Sequence, residues 1–211
     1  MTDTEAIFAF SEDWLNEPEH RGWLGRLEAM EAELPSTRCA HRGACCDTSL
    51  WSALEYHRAM RYLGDALGGD ERCELVEQLL HYEPRRRALP GGRLAWRCAY
   101  RDDAQQRCRI YPARALVCRA YGLLPGTCPR VELTADRTLT RERFAELVAE
   151  LEGMSERIPS DPPLPLMLPV EIWVRVARDG LREGLRYYLD SPFHTQLMQL
   201  AANPVLEPDD G

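Results

Sequence analysis

The sequence predicts an α+β fold, mostly helical, in which a small irregular metal-nucleated core with two or three short strands is packed by flanking helices. Three observations predict it. First, charge divides the 211 residues into blocks: residues 1–35 carry nine acids and two arginines, residues 36–130 sixteen arginines and ten acids, residues 131–211 eight arginines and fifteen acids. Second, all eight cysteines fall in the positive middle block, with His41, His57 and His81. Third, apolar residues at helical spacing mark both acidic flanks. The expected organisation is an N-terminal helical flank (1–35), a cysteine-cluster metal-binding core (36–130) and a C-terminal helical extension (131–211) packing on that core, all one globular unit.

The elements follow in order. Trp23, Leu24, Leu27, Met30 and Leu34 share a helical face, and Pro35 stops the run. Ser52-Ala53-Leu54-Glu55 has the pattern of a capping box for a helix reaching about Leu67, with Gly68-Gly69 at its end. Asp70 is placed to cap a helix through about Tyr82, which carries Cys73 beside Val76 and Leu80 as an ordinary core thiol. Leu94, Trp96, Cys98 and Tyr100 alternate as a strand, and Arg107 to Tyr111 reads as a second. Pro112 suits the first position of a short helix through Leu116, and Arg119 to Leu123 reads as extended. Phe144, Leu147, Val148, Leu151 and Met154 form one helical face after Thr140. The proline-rich residues 160–169 read as a connector. Val170 to about Leu189 reads as one further helix, and Ser191-Pro192 as the start of a last one.

Composition removes several function classes. With 45% apolar and 28% charged residues the chain has an ordinary globular balance. It contains no run of about 18 apolar residues, so no membrane partner is expected. The acidic start, Met1-Thr2-Asp3-Thr4-Glu5, lacks the basic region of a secretory signal, which points to the cytoplasm. A net charge of −8 argues against nucleic acid as a partner. All 26 basic residues are arginine, so Schiff-base catalysis, a P-loop lysine and a lysine general base are excluded. Eight cysteines in a reducing compartment point to metal or redox chemistry rather than disulfides.

Cys39, Cys45 and Cys46 form a first cluster, and Cys98, Cys108, Cys118 and Cys128 follow at a constant interval of ten residues. An aromatic follows at Tyr100, Tyr111 and Tyr121, and Arg97, Arg107, Arg109 and Arg119 flank the cysteines. Seven thiols clustered between turns are not distributed like core filler. Thiolates bind zinc tetrahedrally and bind iron–sulfur clusters. Adjacent arginines would offset the negative charge of such a site and favour the thiolate form. The metal ligands expected are therefore Cys39, Cys45, Cys46, Cys98, Cys108, Cys118 and Cys128, with an iron–sulfur cluster or zinc as cofactor.

The segment from Cys39 to Arg130 resembles the YkgJ-type cysteine-cluster family, a zinc- or iron-chelating domain. The stretch Cys108-Arg109-Ile110-Tyr111-Pro112-Ala113-Arg114-Ala115-Leu116-Val117-Cys118-Arg119 matches that family's C-x-I-Y-x-x-R-x-x-x-C-R motif. Cys98 and Cys128 match the isolated cysteines on either side. The first motif, C-x2-C-x2-C-C, departs at one position, where Arg42 stands in place of the second cysteine. The resemblance implies metal chelation. The departure leaves two arrangements open: an unfilled coordination position, or His41 as a nitrogen ligand.

Other constellations carry less. Glu55 and His57 share a helix with Arg58 and Arg61, either as a catalytic His–carboxylate pair or as a solvated face. Arg85-Arg86-Arg87 reads as an anion-binding cluster or a solvated loop. Three functions remain: a metal-cluster protein in redox or electron transfer, a structural zinc module for a protein partner, and an enzyme with an open metal site, since the same cysteine pattern occurs in flagellin lysine methylases.

Overall fold

The computed structural model describes residues 2–34, 50–82, 86–88, 94–102, 104–105, 107–124, 138–155, 167–191 and 194–195. Among them are eight helices and six short strands, a mostly helical α+β arrangement. No described helix is long and apolar enough to cross a membrane.

Helix α1 (Asp3–Asn16) is one the apolar spacing did not predict. Thr2 and Glu5 close a capping box at its start, and its inward stripe is Ile7, Ser11 and Leu15. Helix α2 (Pro18–Ala32) begins with proline in its first turn and buries His20, Trp23, Leu27 and Met30. Helix α3 (Ala53–Ala66) starts at the expected Ser52/Glu55 box and buries most of its first half. Helix α4 (Gly69–Leu80) begins one residue before the expected Asp70 cap. Glu71 reaches back to its N-cap, where its carboxylate accepts from the Gly68 N–H at 3.1 Å.

The strands are all antiparallel pairs of two or three residues. β1 (Leu50–Trp51) pairs with β6 (Leu168–Pro169), so the proline-rich connector ends in a strand. β2 (Arg86–Ala88) pairs with β3 (Leu94–Trp96), which puts Arg86 and Arg87 in a strand rather than a loop. β4 (Arg101–Asp102) pairs with β5 (Arg107–Cys108). The expected strand through Tyr100 stops early because the Arg101 N–H turns back to the Cys98 carbonyl at 3.1 Å. The next segment is a single 3-10 turn, Tyr111–Ala113, followed by helix α5 (Leu116–Ala120). Arg119 and Ala120 are therefore helical, not extended, and the chain turns from Tyr121 to Leu123.

Helix α6 (Arg141–Ser155) is the expected one. The expected single helix over 170–189 is two, α7 (Val170–Asp179) and α8 (Leu181–Leu189). They are broken at Gly180, whose φ of 86° only glycine adopts without strain. Ser191 accepts from the His194 N–H, as a cap would, but the rest of the expected last helix lies outside the described residues.

Two hydrophobic clusters organise these pieces. The larger gathers α1, α3, α4, α7 and the cysteine segment around Trp51, Tyr56, Tyr100 and Trp173. Trp173 donates its indole N–H to the Trp51 carbonyl at 2.7 Å, tying α7 to β1. In the second, Trp23, Leu27 and Met30 of α2 meet Leu147, Leu151 and Met154 of α6 over Leu54 and Leu116. Both flanking helices thus cover the middle segment, as the placement of their apolar faces predicts. Each fully buried leucine or methionine there contributes about 1.5–3 kcal/mol.

Candidate metal centre

Cys98, Cys108 and Cys118 are the described members of the expected ligand set. Cys39, Cys45, Cys46 and Cys128, with His41 and Arg42, lie outside the described residues. Cys98 follows β3 and is buried; Cys108 ends β5 opposite Arg101 and is half-buried; Cys118 lies on α5 and is half-buried. All three belong to the larger cluster or pack against it.

Tyr100 links the first two. Its ring is fully buried, and its carbonyl accepts from the Arg109 N–H at 3.0 Å, closing the β4–β5 turn beside Cys108. Burial pushes the Tyr100 hydroxyl well above its ordinary value, and the neighbouring Tyr56, Cys98 and Cys108 push it the same way. Tyr100 therefore stays a neutral phenol beside those thiols. Among the described residues no three of His, Cys, Asp and Glu come close enough together to hold a metal ion.

The start of α5, the helix that carries Cys118, is held by a clamp. Glu55, fully buried, accepts from the Leu116 N–H at 2.7 Å through one carboxylate oxygen. The other oxygen accepts from the Ser52 N–H and hydroxyl, each at 3.0 Å. Burial raises the Glu55 pKa, and these hydrogen bonds with the nearby Arg58 oppose the rise. Arg58 donates to the Arg114 carbonyl at 3.0 Å and pairs with Glu31 of α2. Arg119 approaches the other Glu31 oxygen at 2.9 Å and donates to the Arg114 and Pro112 carbonyls. Its contact with that oxygen is an ion pair without hydrogen-bond alignment. Ile110 is buried, and Arg114 lies over the Tyr111 ring at 4.2 Å. The residues of the Cys108 to Arg119 motif thus have identifiable packing and clamping roles.

Two expectations fall. Cys73 is exposed, so it is not a core thiol: Val76 and Leu80 point inward while Cys73 sits on the outer side of α4. Glu55 and His57 form neither a catalytic pair nor a solvated face, because both are buried and face different partners. His57 shares a 3.0 Å hydrogen bond with Ser11 and stacks on Trp14 at 4.4 Å, and Trp14 stacks on His20 at 3.7 Å. Burial, with a smaller contribution from His20, holds the His57 pKa down to about 3. The ring is neutral over the physiological range.

A cleft of about 540 Å³ opens beside Cys98. Its described lining is Gln78, His81, Tyr82, Arg97, Cys98, Ala99 and Arg101. The Gln78 amide donates to the Ala99 carbonyl at 3.4 Å, and the Tyr82 hydroxyl donates to the Arg97 carbonyl.

Sequence reasoning missed Glu31, Ser11 and Glu171. Glu171 is 4% exposed, and one of its carboxyl oxygens has no hydrogen-bond partner. Burial pushes its pKa up to about 7, against its own backbone N–H and Arg175, which pull it down. An acid at the second position of a helix reads as a dipole partner; nothing local announces that this one is interior. Comparison with family models, curated proteins and solved structures finds no match for the chain.

Proposed function

We propose that this chain is a metal-binding cysteine-cluster protein that chelates iron, as an iron–sulfur cluster, or zinc through thiolates, with a role in redox or electron transfer. One observation carries the reading. Cys98, Cys108 and Cys118 come from a strand end, a hairpin and a short helix, yet all pack against one core in which Tyr100 neighbours two of them. Cys39, Cys45, Cys46 and Cys128 complete the proposed ligand set, in the reducing cytoplasm where thiolates stay available.

The deciding experiment is anaerobic purification followed by metal analysis and an absorption spectrum. Iron with inorganic sulfide and a sulfur-to-iron charge-transfer band supports the cluster. Stoichiometric zinc in a colourless protein supports the zinc form, including a structural module for a protein partner. Protein free of both, with no uptake on reconstitution, refutes the reading.

The cleft beside Cys98 favours a second reading, an enzyme with an open metal site, because an exchangeable coordination position needs access from solvent. Exchange of a metal-bound water, seen as relaxation enhancement of solvent protons by a paramagnetic substitute, separates it from a closed site.

A further inference from the structure

We propose that Glu55 is the positioning residue of the cysteine centre: it seats the first turn of α5 and through it the thiol of Cys118. The proposal rests on the metal-centre reading above. Helix α5 is only Leu116–Ala120, and a helix of one turn does not hold itself in water. Its N-cap, Ala115, offers no side-chain hydrogen bond. The N–H of Leu116, one of the donors a helix start leaves unsatisfied, instead meets Glu55 at 2.7 Å.

Comparison within the chain shows what is unusual. Glu5 closes its own capping box and Glu71 accepts from its own N-cap N–H, both in exposed positions with local contacts. Glu55 closes its box with one oxygen and spends the other on a residue 61 positions away, while fully buried. A buried carboxylate is costly unless every lone pair is used well. A capping box alone does not require burial. The geometry gained is a fixed distance between α3 and the helix carrying Cys118. Arg58 adds to it by gripping the Arg114 carbonyl from the next turn of α3.

Glu55→Gln tests this, because an amide keeps one acceptor oxygen and turns donors toward either Ser52 or Leu116. Metal-free protein is titrated with Co²⁺ under anaerobic conditions, reading the thiolate-to-cobalt charge-transfer band, with Zn²⁺ competition for affinity. Glu55→Gln is expected to weaken affinity about 10–100-fold, the range for groups that orient metal ligands, and to alter the band. Leu116 amide exchange and alkylation of Cys118 relative to exposed Cys73 should both accelerate. Arg61→Gln, on the same helix but paired to exposed Glu12, should change none of these. Leu79→Val, a core change in α4, controls for lost stability and should leave the cobalt spectrum intact. Wild-type affinity and spectrum in Glu55→Gln would overturn the inference while leaving the metal reading standing. If wild-type protein takes up no metal, the metal reading falls, and the clamp is then judged by Cys118 alkylation and Leu116 exchange; unchanged rates overturn it too.

Discussion

Replacing Glu171 with glutamine should make the protein more stable at alkaline pH. The carboxyl is buried at the start of α7, with one oxygen unpartnered and a pKa pushed from 4.5 to about 7. Between those values the folded chain binds more protons at this site than the unfolded chain, so stability falls as pH rises through the window. Below about 4.5 both states are protonated and the site costs nothing by this route. Above about 7 both are ionised, and the full difference, about 3 kcal/mol, is charged against the fold. Glutamine removes the titration but buries two donors, which returns about 1–2 kcal/mol of the gain. The net expectation is about 1–2 kcal/mol of added stability at pH 8 and a loss of about 1–2 kcal/mol at pH 4, where only the cost of the buried amide remains. Urea denaturation of wild type and Glu171→Gln at intervals from pH 4 to 8.5 measures it, provided the m-value stays constant. Curves that run parallel across the whole range would refute the reasoning, because they would mean that Glu171 ionises in the folded protein as it does in water.

The other predictions are of the same kind. His57, with a pKa held down to about 3, supports the fold above about 6.5 and loses that support as pH falls toward 3. His57→Gln should therefore flatten the acid side of the stability curve, and an unchanged acid limb counts against a neutral buried ring. Gly184→Ala should cost about 1–3 kcal/mol despite its better helix propensity. A Cβ there would lie 2.5 Å from Val176 Cγ2 and 2.9 Å from its backbone nitrogen, so α7 and α8 must separate; an unchanged thermal melt would contradict that contact. Cys45→Ser and Cys118→Ser should give metal-poor protein, since ligation is linked to about 10–16 kcal/mol of apparent free energy in small thiolate sites. Exposed Cys73→Ser should keep its metal and stay within about 0.5 kcal/mol of wild type; equal metal content in all three would mean that the cysteines are not ligands.

The parts of the fold legible in the sequence are those set by local period and local caps. The Ser52/Glu55 box and the Phe144–Met154 stripe each announce a helix because both signals lie within a few turns. Helix α1 had the same kind of signal in Thr2 and Glu5, but Ser11 interrupts its inward stripe and hides the periodicity. Gly180 had a readable signal as well, since glycine commonly ends helices, yet the apolar stripe ran past it. The β1–β6 pair could not be read locally: Pro169 looks like a breaker, and only its partner 119 residues earlier makes it a strand residue. The clamp was equally illegible, because Glu55 meets Leu116 through tertiary packing and the same four-residue signature describes the exposed Thr2/Glu5 cap.

The charge partition shows how one observation came to have two causes. Arginine surplus in the middle block suggests an offset for thiolate charge. The structure assigns part of that surplus differently. Arg58 and Arg119 are met by Glu31, and Arg61 by Glu12, both acids from the opposite-signed N-terminal flank. These pairs differ in consequence. Arg61 with Glu12 is exposed and contributes at most about 1 kcal/mol. Glu31 and Arg58 each keep only about a tenth of their side chains in water, so removing Glu31, which also meets Arg119, leaves a costly partly buried positive charge at Arg58. Opposite charge thus joins the N-terminal helices α1 and α2 to α3 and α5.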